Sequence, residues 1–394
     1  MSTSAPSPDA LAASATDILA RLVGFDTTSR GSNLALIAYV EAELARLGVS
    51  GTRIANAEGN KANFHATLGP MVEGGVVLSG HTDVVPVDGQ AWTSDPFVLT
   101  RRGDRLYGRG TCDMKGFLSL ALAAAPLFAA RGLARPVHLA FSYDEEIGCL
   151  GAPSMIRDLA ARVPTPLAVI VGEPTNMEVV GAHKGISSWT VTVTGHEAHS
   201  SLTHLGLSAN MAAIGLMHKL VALAERLERA GDPHSPFHPP HATLTIGQVH
   251  GGTAINILAR ECVFAFDLRC PPGFDPDGLI APFLAEAAAL DTAMKRRFPH
   301  AGVVVTRRSA TPPLAAEPDG AAERLARRLA GDNGPARAVP YAAEAGQFQE
   351  AHFSTVICGP GSIEQAHQPD EYLEVSQMER GAAFMLRLSD ALSA

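Results

Sequence analysis

The sequence predicts an α/β protein with a mainly parallel central sheet flanked by helices, into which a ferredoxin-like α+β domain is inserted. Three observations carry this. Short, wholly apolar runs alternate with helical segments in the first half of the chain, the pattern of strands buried on both faces. From about residue 182 to 308 the order becomes β-α-β-β-α-β, which is a ferredoxin-like unit. Beyond it the chain returns to a short apolar run at 355–357. One domain is therefore expected over 1–181 and 309–394, and a second over 182–308.

Taken in order, residues 8–23 and 32–47 carry helical spacing and stop near Gly24 and Gly48. Strands are expected at 76–78, 137–141, 167–171 and 355–357, with a helix at 115–130 between the first two. In the inserted segment the expectation is a strand at 188–194 and a long helix at 207–228. A Pro/His-rich loop at 232–241 follows, then strands at 242–249 and 261–269, a helix at 277–290 and a strand at 303–307.

Composition narrows the function classes. The chain has 394 residues, 46% of them apolar and 18% charged, enough for two domains and a large core. A net charge of −9 disfavours nucleic acid or an anionic membrane as the partner, since both want a basic surface. Neither a basic leader followed by an apolar run nor about 18 uninterrupted apolar residues is found, so a signal peptide and a membrane span are not expected. Five scattered cysteines without a C-x-x-C pair read as reduced thiols of a cytoplasmic protein.

The chemistry gathers where the buried runs end. Leu78-Ser79-Gly80 leads into His81-Thr82-Asp83, Phe141-Ser142-Tyr143 into Asp144-Glu145-Glu146, and Val171-Gly172 into Glu173. The run before Gly359 leads to His367, and Asp113 stands just before a helix. Ligands of open α/β sheets bind beyond the carboxyl ends of the strands. Two histidines with three carboxylates exceed one tetrahedral centre and suit two ions sharing a bridging carboxylate. One such residue alone is commonly a core histidine or a solvated turn; the joint placement points to a site, though not to a reaction.

These stretches resemble a known family: the acetylornithine deacetylase, succinyl-diaminopimelate desuccinylase, aminoacylase and glutamate-carboxypeptidase group of co-catalytic zinc hydrolases. The resemblance rests on SGHTDVVPVDGQAW (79–92), LYGRGTCDMKG (106–116), YDEEIGCLGA (143–152), VGEPT (171–175), GHEAHSS (195–201), GGTAINILA (251–259) and CGPGSIEQAHQPDEYLE (358–374). They span nearly the whole chain in family order. Within the group, residues 182–185, 343–345 and the closing AHQPDEYLE look most like the acetylornithine deacetylase branch. The resemblance implies a zinc-peptidase-like catalytic domain and a lid and dimerisation domain. It implies that His81, Asp113 and Glu173 hold one Zn²⁺ and Asp113, Glu146 and His367 a second. Co²⁺ or Mn²⁺ are possible substitutes, because they tolerate similar ligands. It further implies that Asp83 orients His81, that Glu145 is general base and acid, and that the Asp113–Met114 peptide bond is cis. His199 would serve the oxyanion from the partner subunit of a homodimer.

The substrate implied is a small N-acyl amino acid, with N2-acetyl-L-ornithine favoured. Its carboxylate would want Arg269, with Lys184 as runner-up, and its side-chain ammonium would want Glu344. Asn256 is open between a substrate contact and a turn residue. Competing readings are a desuccinylase or a broader aminoacylase or dipeptidase of the same group, and a non-catalytic metal-binding or regulatory homologue. The intact Glu145 and ligand set argue against the last.

Overall fold

The computed structural model describes residues 6–393. The chain divides into two compact units, one made of Met1–Ala182, Leu314–Ala338 and Ala343–Ala394, the other of His183–Pro313 and Val339–Ala342.

In the first unit, six strands form one sheet in the order Gly51–Ala55, Ala62–Leu68, Val137–Ser142, Val76–His81, Ala168–Pro174, Thr355–Gly359. The last four run parallel, whereas the first two pair antiparallel with each other, and the second of them antiparallel with the third. The parallel strands are buried along their length, which is why their sequences read as continuous apolar runs. Helices Pro8–Val23, Gly116–Ala130 and Val375–Ser393 pack against one another, while Ala152–Arg162 and Ala345–Glu350 form a separate pair.

Local chemistry sets these elements. Pro8–Val23 begins with Pro at its first position and a Ser7 side chain that accepts from Ala10 N, and it stops at Gly24. Gly116–Ala130 is apolar on every face and largely buried, as a core helix must be. The run Thr111–Ala130 is long and apolar enough to cross a membrane, but 83% of it is buried inside the protein. Gly172 lets that helix approach: a Cβ there would lie 2.0 Å from the Phe117 ring. The close packing fixes the height at which the next residue, Glu173, leaves the strand.

The second unit is a four-stranded antiparallel sheet in the order Thr243–Gly251, Glu261–Cys270, Gly185–Thr194, Gly302–Thr311. Helices Ala209–Arg229 and Pro276–Arg297 pack on it and on each other. Gly185–Thr194 alternates between buried and half-buried, as does Glu261–Cys270 after its exposed first residue, putting Trp189, Val191, Val193, Phe264, Phe266 and Leu268 into one core. The boundary expected between 308 and 309 falls inside a strand. Gly302–Thr311 stays paired as far as Thr311↔Ile186, so the unit ends only at Pro313.

Candidate metal centre

Four strand ends and one kinked segment converge at the carboxyl edge of the parallel strands. His81 ends Val76–His81, Glu145 and Glu146 follow Val137–Ser142, and Glu173 lies within Ala168–Pro174. Asp113 sits in Thr111–Lys115 with non-helical φ and ψ, and its peptide bond to Met114 is cis. His367 lies in the loop beyond Thr355–Gly359 with φ +63.

Asp113 is the hub. Its Oδ1 lies 2.9 Å from His81 Nε2, and its Oδ2 lies 3.3 Å from His367 Nε2. His367 Nε2 also meets Glu146 Oε2 at 3.0 Å, and His81 Nε2 stands 3.7 Å from Glu173 Oε1. Donor atoms of His81, Asp113 and Glu146 lie within 4.8 Å of one another, as do those of His81, Glu145 and Glu173. Glu145 thus stands against the cluster at the His81–Glu173 side.

The cluster is short of positive charge. Burial, reinforced by Asp113, pushes the Glu173 carboxyl well up. Burial likewise raises Glu145, with His81 opposing and Glu146 adding repulsion. Burial also works against ionised Asp113, but hydrogen bonds from His367 and His81 outweigh it and hold Asp113 well below the usual range. His367 is raised in turn, because it donates to the carboxylates of Asp113 and Glu146. Glu146 Oε1 and Glu173 Oε1 are buried without a hydrogen-bond partner, a costly state for carboxylate oxygens. Imidazole and carboxylate donors, surplus negative charge and orphaned oxygens aimed inward fit divalent cations.

Asp83 acts on both sides of the cluster. His81 Nδ1 meets the main-chain oxygen of Asp83 at 2.9 Å, while the nearer carboxylate oxygen is 3.6 Å away. The Asp83 carboxylate accepts instead from Ser29 Oγ at 2.7 Å, Glu145 N at 3.1 Å and Glu146 N at 3.3 Å. It therefore fixes the turn that presents the two glutamates. Lys61, paired with Asp144 at 2.5 Å and bonded to Ser29 O, braces the turn from behind. Cys149 Sγ donates to Glu145 Oε1 at 3.2 Å. Sequence reading singled out neither Ser29, Lys61 nor Cys149 for the site; Cys149 lies inside a motif but counts there only among the scattered thiols.

Residues 77–391 match Peptidase family M20/M25/M40. The chain belongs to that family. Among M20 relatives it is 36% identical over 323 residues to a protein of Pectobacterium atrosepticum named acetylornithine deacetylase, covering 80% of each chain. It is 36% identical over 356 residues to one of the same name from Salmonella arizonae, covering 87% of each. Of solved structures, human carnosine dipeptidase 1 shares the fold with a TM-score of 0.74 and 18% identity, over 97% of this chain and 98% of that one. A Bacillus subtilis protein described as a dinuclear metal binding peptidase of the M20 family shares it with a TM-score of 0.60 and 15% identity, over 98% and 99%.

The substrate candidates fare unevenly. In the second unit, His199 is exposed, with Nδ1 2.8 Å from Ser201 Oγ. Its main chain bridges to Ile257, and Ser200 N donates to Asn256 O, so His199 and the exposed Asn256 share one loop pair. Arg269 is half-buried and its Nε bonds Asp267 Oδ2 at 3.1 Å. Lys184 requires correction. It is buried, and its Nζ donates to Pro239 O at 2.8 Å and His241 O at 2.7 Å. It ties down the Pro/His-rich loop, spending two of its three N–H donors on main-chain oxygens. Glu344 requires one too. It is fully buried, and its two oxygens accept from Ser79 Oγ and Ser142 Oγ, each at 2.6 Å. Clamped beneath the ends of two sheet strands, it presents no surface to a substrate ammonium.

Proposed function

We propose that this M20 enzyme hydrolyses the amide bond of an N-acyl amino acid, with N2-acetyl-L-ornithine as the substrate and ornithine and acetate as products, a step of arginine biosynthesis. The single observation that carries the chemistry is the pair of histidines joined through Asp113, with Glu145 beside them. The substrate rests on the relatives named acetylornithine deacetylase, which align over most of the chain.

In this reading His81, Asp113 and Glu173 hold one ion, and Asp113, Glu146 and His367 the other, with zinc favoured by the donor set and cobalt or manganese as substitutes. Such a pair, when bound, supplies acidified water and a polarised acyl oxygen. Glu145 takes a proton from the attacking water and returns it to the departing amine. Asp83 keeps Glu145 and Glu146 on diverging paths by bonding both main-chain nitrogens. Arg269 is the remaining candidate for the substrate carboxylate.

The second unit serves as lid and dimerisation domain. Support comes from apolar residues exposed along one helix, Met211 and Ile214, and on the edge strand, Val249. The loop pair of His199 and Asn256 also carries Ile255, which is fully exposed. The five cysteines are present as thiols, which suits a reducing cytoplasm.

The test is metal content followed by hydrolysis of N-acetylornithine, N-succinyl-diaminopimelate and N-acetylmethionine. Two ions per chain and the highest kcat/KM on N-acetylornithine are expected. A preference for the succinylated substrate would overturn the substrate, and activity unaffected by metal removal would overturn the chemistry.

A further inference from the structure

One buried carboxylate outside the proposed ligand set organises the main chain on which that set depends. Glu371 is 1% exposed. Its Oε1 accepts from Cys112 N at 2.8 Å and Asp113 N at 3.1 Å; its Oε2 accepts from Gly110 N at 2.9 Å and Arg109 Nη1 at 2.8 Å. Four donors thus converge on one side chain. Three are main-chain N–H groups of the segment that ends in Asp113, where backbone torsions leave the helical range and where Gly110 takes φ +79. Such a segment has no helical or sheet ladder to satisfy it, and a buried N–H without a partner is costly.

The same network reaches the second histidine. Arg109, also 1% exposed, bonds Gln90 Oε1 at 2.5 Å and Gln368 O at 3.3 Å through its other contacts. Gln90 Nε2 then donates to His367 O at 2.9 Å, and Trp92 Nε1 donates to Gln90 Oε1 at 3.0 Å. Arg109 lies across the Trp92 ring, 5.0 Å from its centre. Glu371 therefore grips Asp113 directly and His367 through Arg109 and Gln90, from a point four residues beyond His367.

We propose that Glu371 is a positioning residue for both halves of the metal centre: with Arg109 and Gln90 it preorganises the backbone of Asp113 and His367, and so sets metal affinity. The proposal rests on the two-metal reading above. An isosteric amide shows why charge and geometry both matter. Gln at 371 would turn one acceptor into a donor, facing either Gly110 N and Arg109 or Cys112 N and Asp113 N. The loop would then have to be ordered by the metal itself, at the expense of binding.

The experiment compares wild type, Glu371→Gln, Glu371→Asp and Gln90→Ala by chelator competition with Zn²⁺, alongside the thermal midpoint of each metal-free protein. Loss of a group that orients ligands typically lowers metal affinity about 10–100-fold. Glu371→Gln is expected to lose that much at both ions, with Glu371→Asp recovering part of it. Gln90→Ala, which keeps the grip on Asp113, is expected to weaken one ion only. A folded Glu371→Gln with wild-type affinity overturns the proposal. If Glu371→Gln does not fold, Gln90→Ala decides: unchanged affinity at both ions overturns it, and weakening of one upholds it. Wild type that binds fewer than two ions instead overturns the two-metal reading, which the variants do not test.

Discussion

At the scale of single residues, the adjacent pair Glu145 and Glu146 divides the work. Glu146 Oε2 faces His367 at 3.0 Å, whereas Glu145 lies at the His81–Glu173 side and takes a hydrogen bond from Cys149. Replacing Glu145 by Gln should lower kcat by about 10²–10⁴-fold, the usual contribution of a positioned base, with metal content unchanged. Kinetics beside metal analysis checks this; loss of both ions would make Glu145 a ligand. Glu344 leads to a different expectation than its sequence suggested. A carboxylate in the small-residue stretch Ala343-Glu344-Ala345 looks available to a ligand ammonium, and only tertiary structure reveals the two serines that occupy it. Glu344→Gln weakens one charge-assisted bond, each worth about 1.5–3 kcal/mol. It should therefore lower the thermal midpoint and reduce kcat/KM by a similar factor on N-acetylornithine and N-acetylmethionine. A loss confined to the ornithine substrate would restore the ammonium reading.

At the scale of elements, a titratable group inside the sheet ties stability to pH. His138 on Val137–Ser142 is buried, its Nδ1 meets Thr67 Oγ1 at 2.9 Å, and burial, helped by His65, pushes its pKa down to about 4. The folded chain keeps this ring neutral, while an unfolded chain takes up the proton near the ordinary histidine value of 6.5. Its contribution is thus fully present above about 6.5 and lost as pH falls toward 4. His138→Gln should flatten that part of the acid limb in chemical denaturation at stepped pH; an unchanged limb would remove His138 from the account. The strand facing it also shows where sequence reading stops. Ala62–Leu68 carries Asn63, His65 and Thr67 on alternate positions, which resembles a solvated face, yet Asn63 and His65 are buried. Asn63 bonds Gly151 O and Ser154 Oγ, and His65 meets Asp158, beneath the helix Ala152–Arg162. Periodicity reports polarity and cannot foresee partners distant in sequence. The parallel strands and the ferredoxin-like order were legible because apolar runs and strict alternation need no such partner.

At the scale of the molecule, the donors at the strand ends were legible for the same reason that they converge: each follows an apolar run whose direction the sheet fixes. Residues that act through the main chain, such as Asp83 on the Glu145–Glu146 turn and Glu371 on the Asp113 loop, leave no comparable trace, since only the folded loops bring N–H and carboxylate together. The second unit raises the remaining question of whether His199 serves the chemistry. It lies on a loop pair with Asn256 whose outward side chain Ile255 is bare, and exposed apolar residues on the helix and edge strand suit a second copy of the chain. If the chain forms a homodimer and His199 acts across it, Glu145→Gln and His199→Ala each inactivate a different half of every site. A mixed dimer then contains one site with neither defect and one with both. Equimolar mixing after subunit exchange should give half of the chains as mixed dimers, each with one working site, and therefore about a quarter of wild-type activity from two nearly inactive parents if exchange is random. Exchange verified by differential tagging, with activity no higher than the parents', would place His199 in the service of its own chain or outside the reaction.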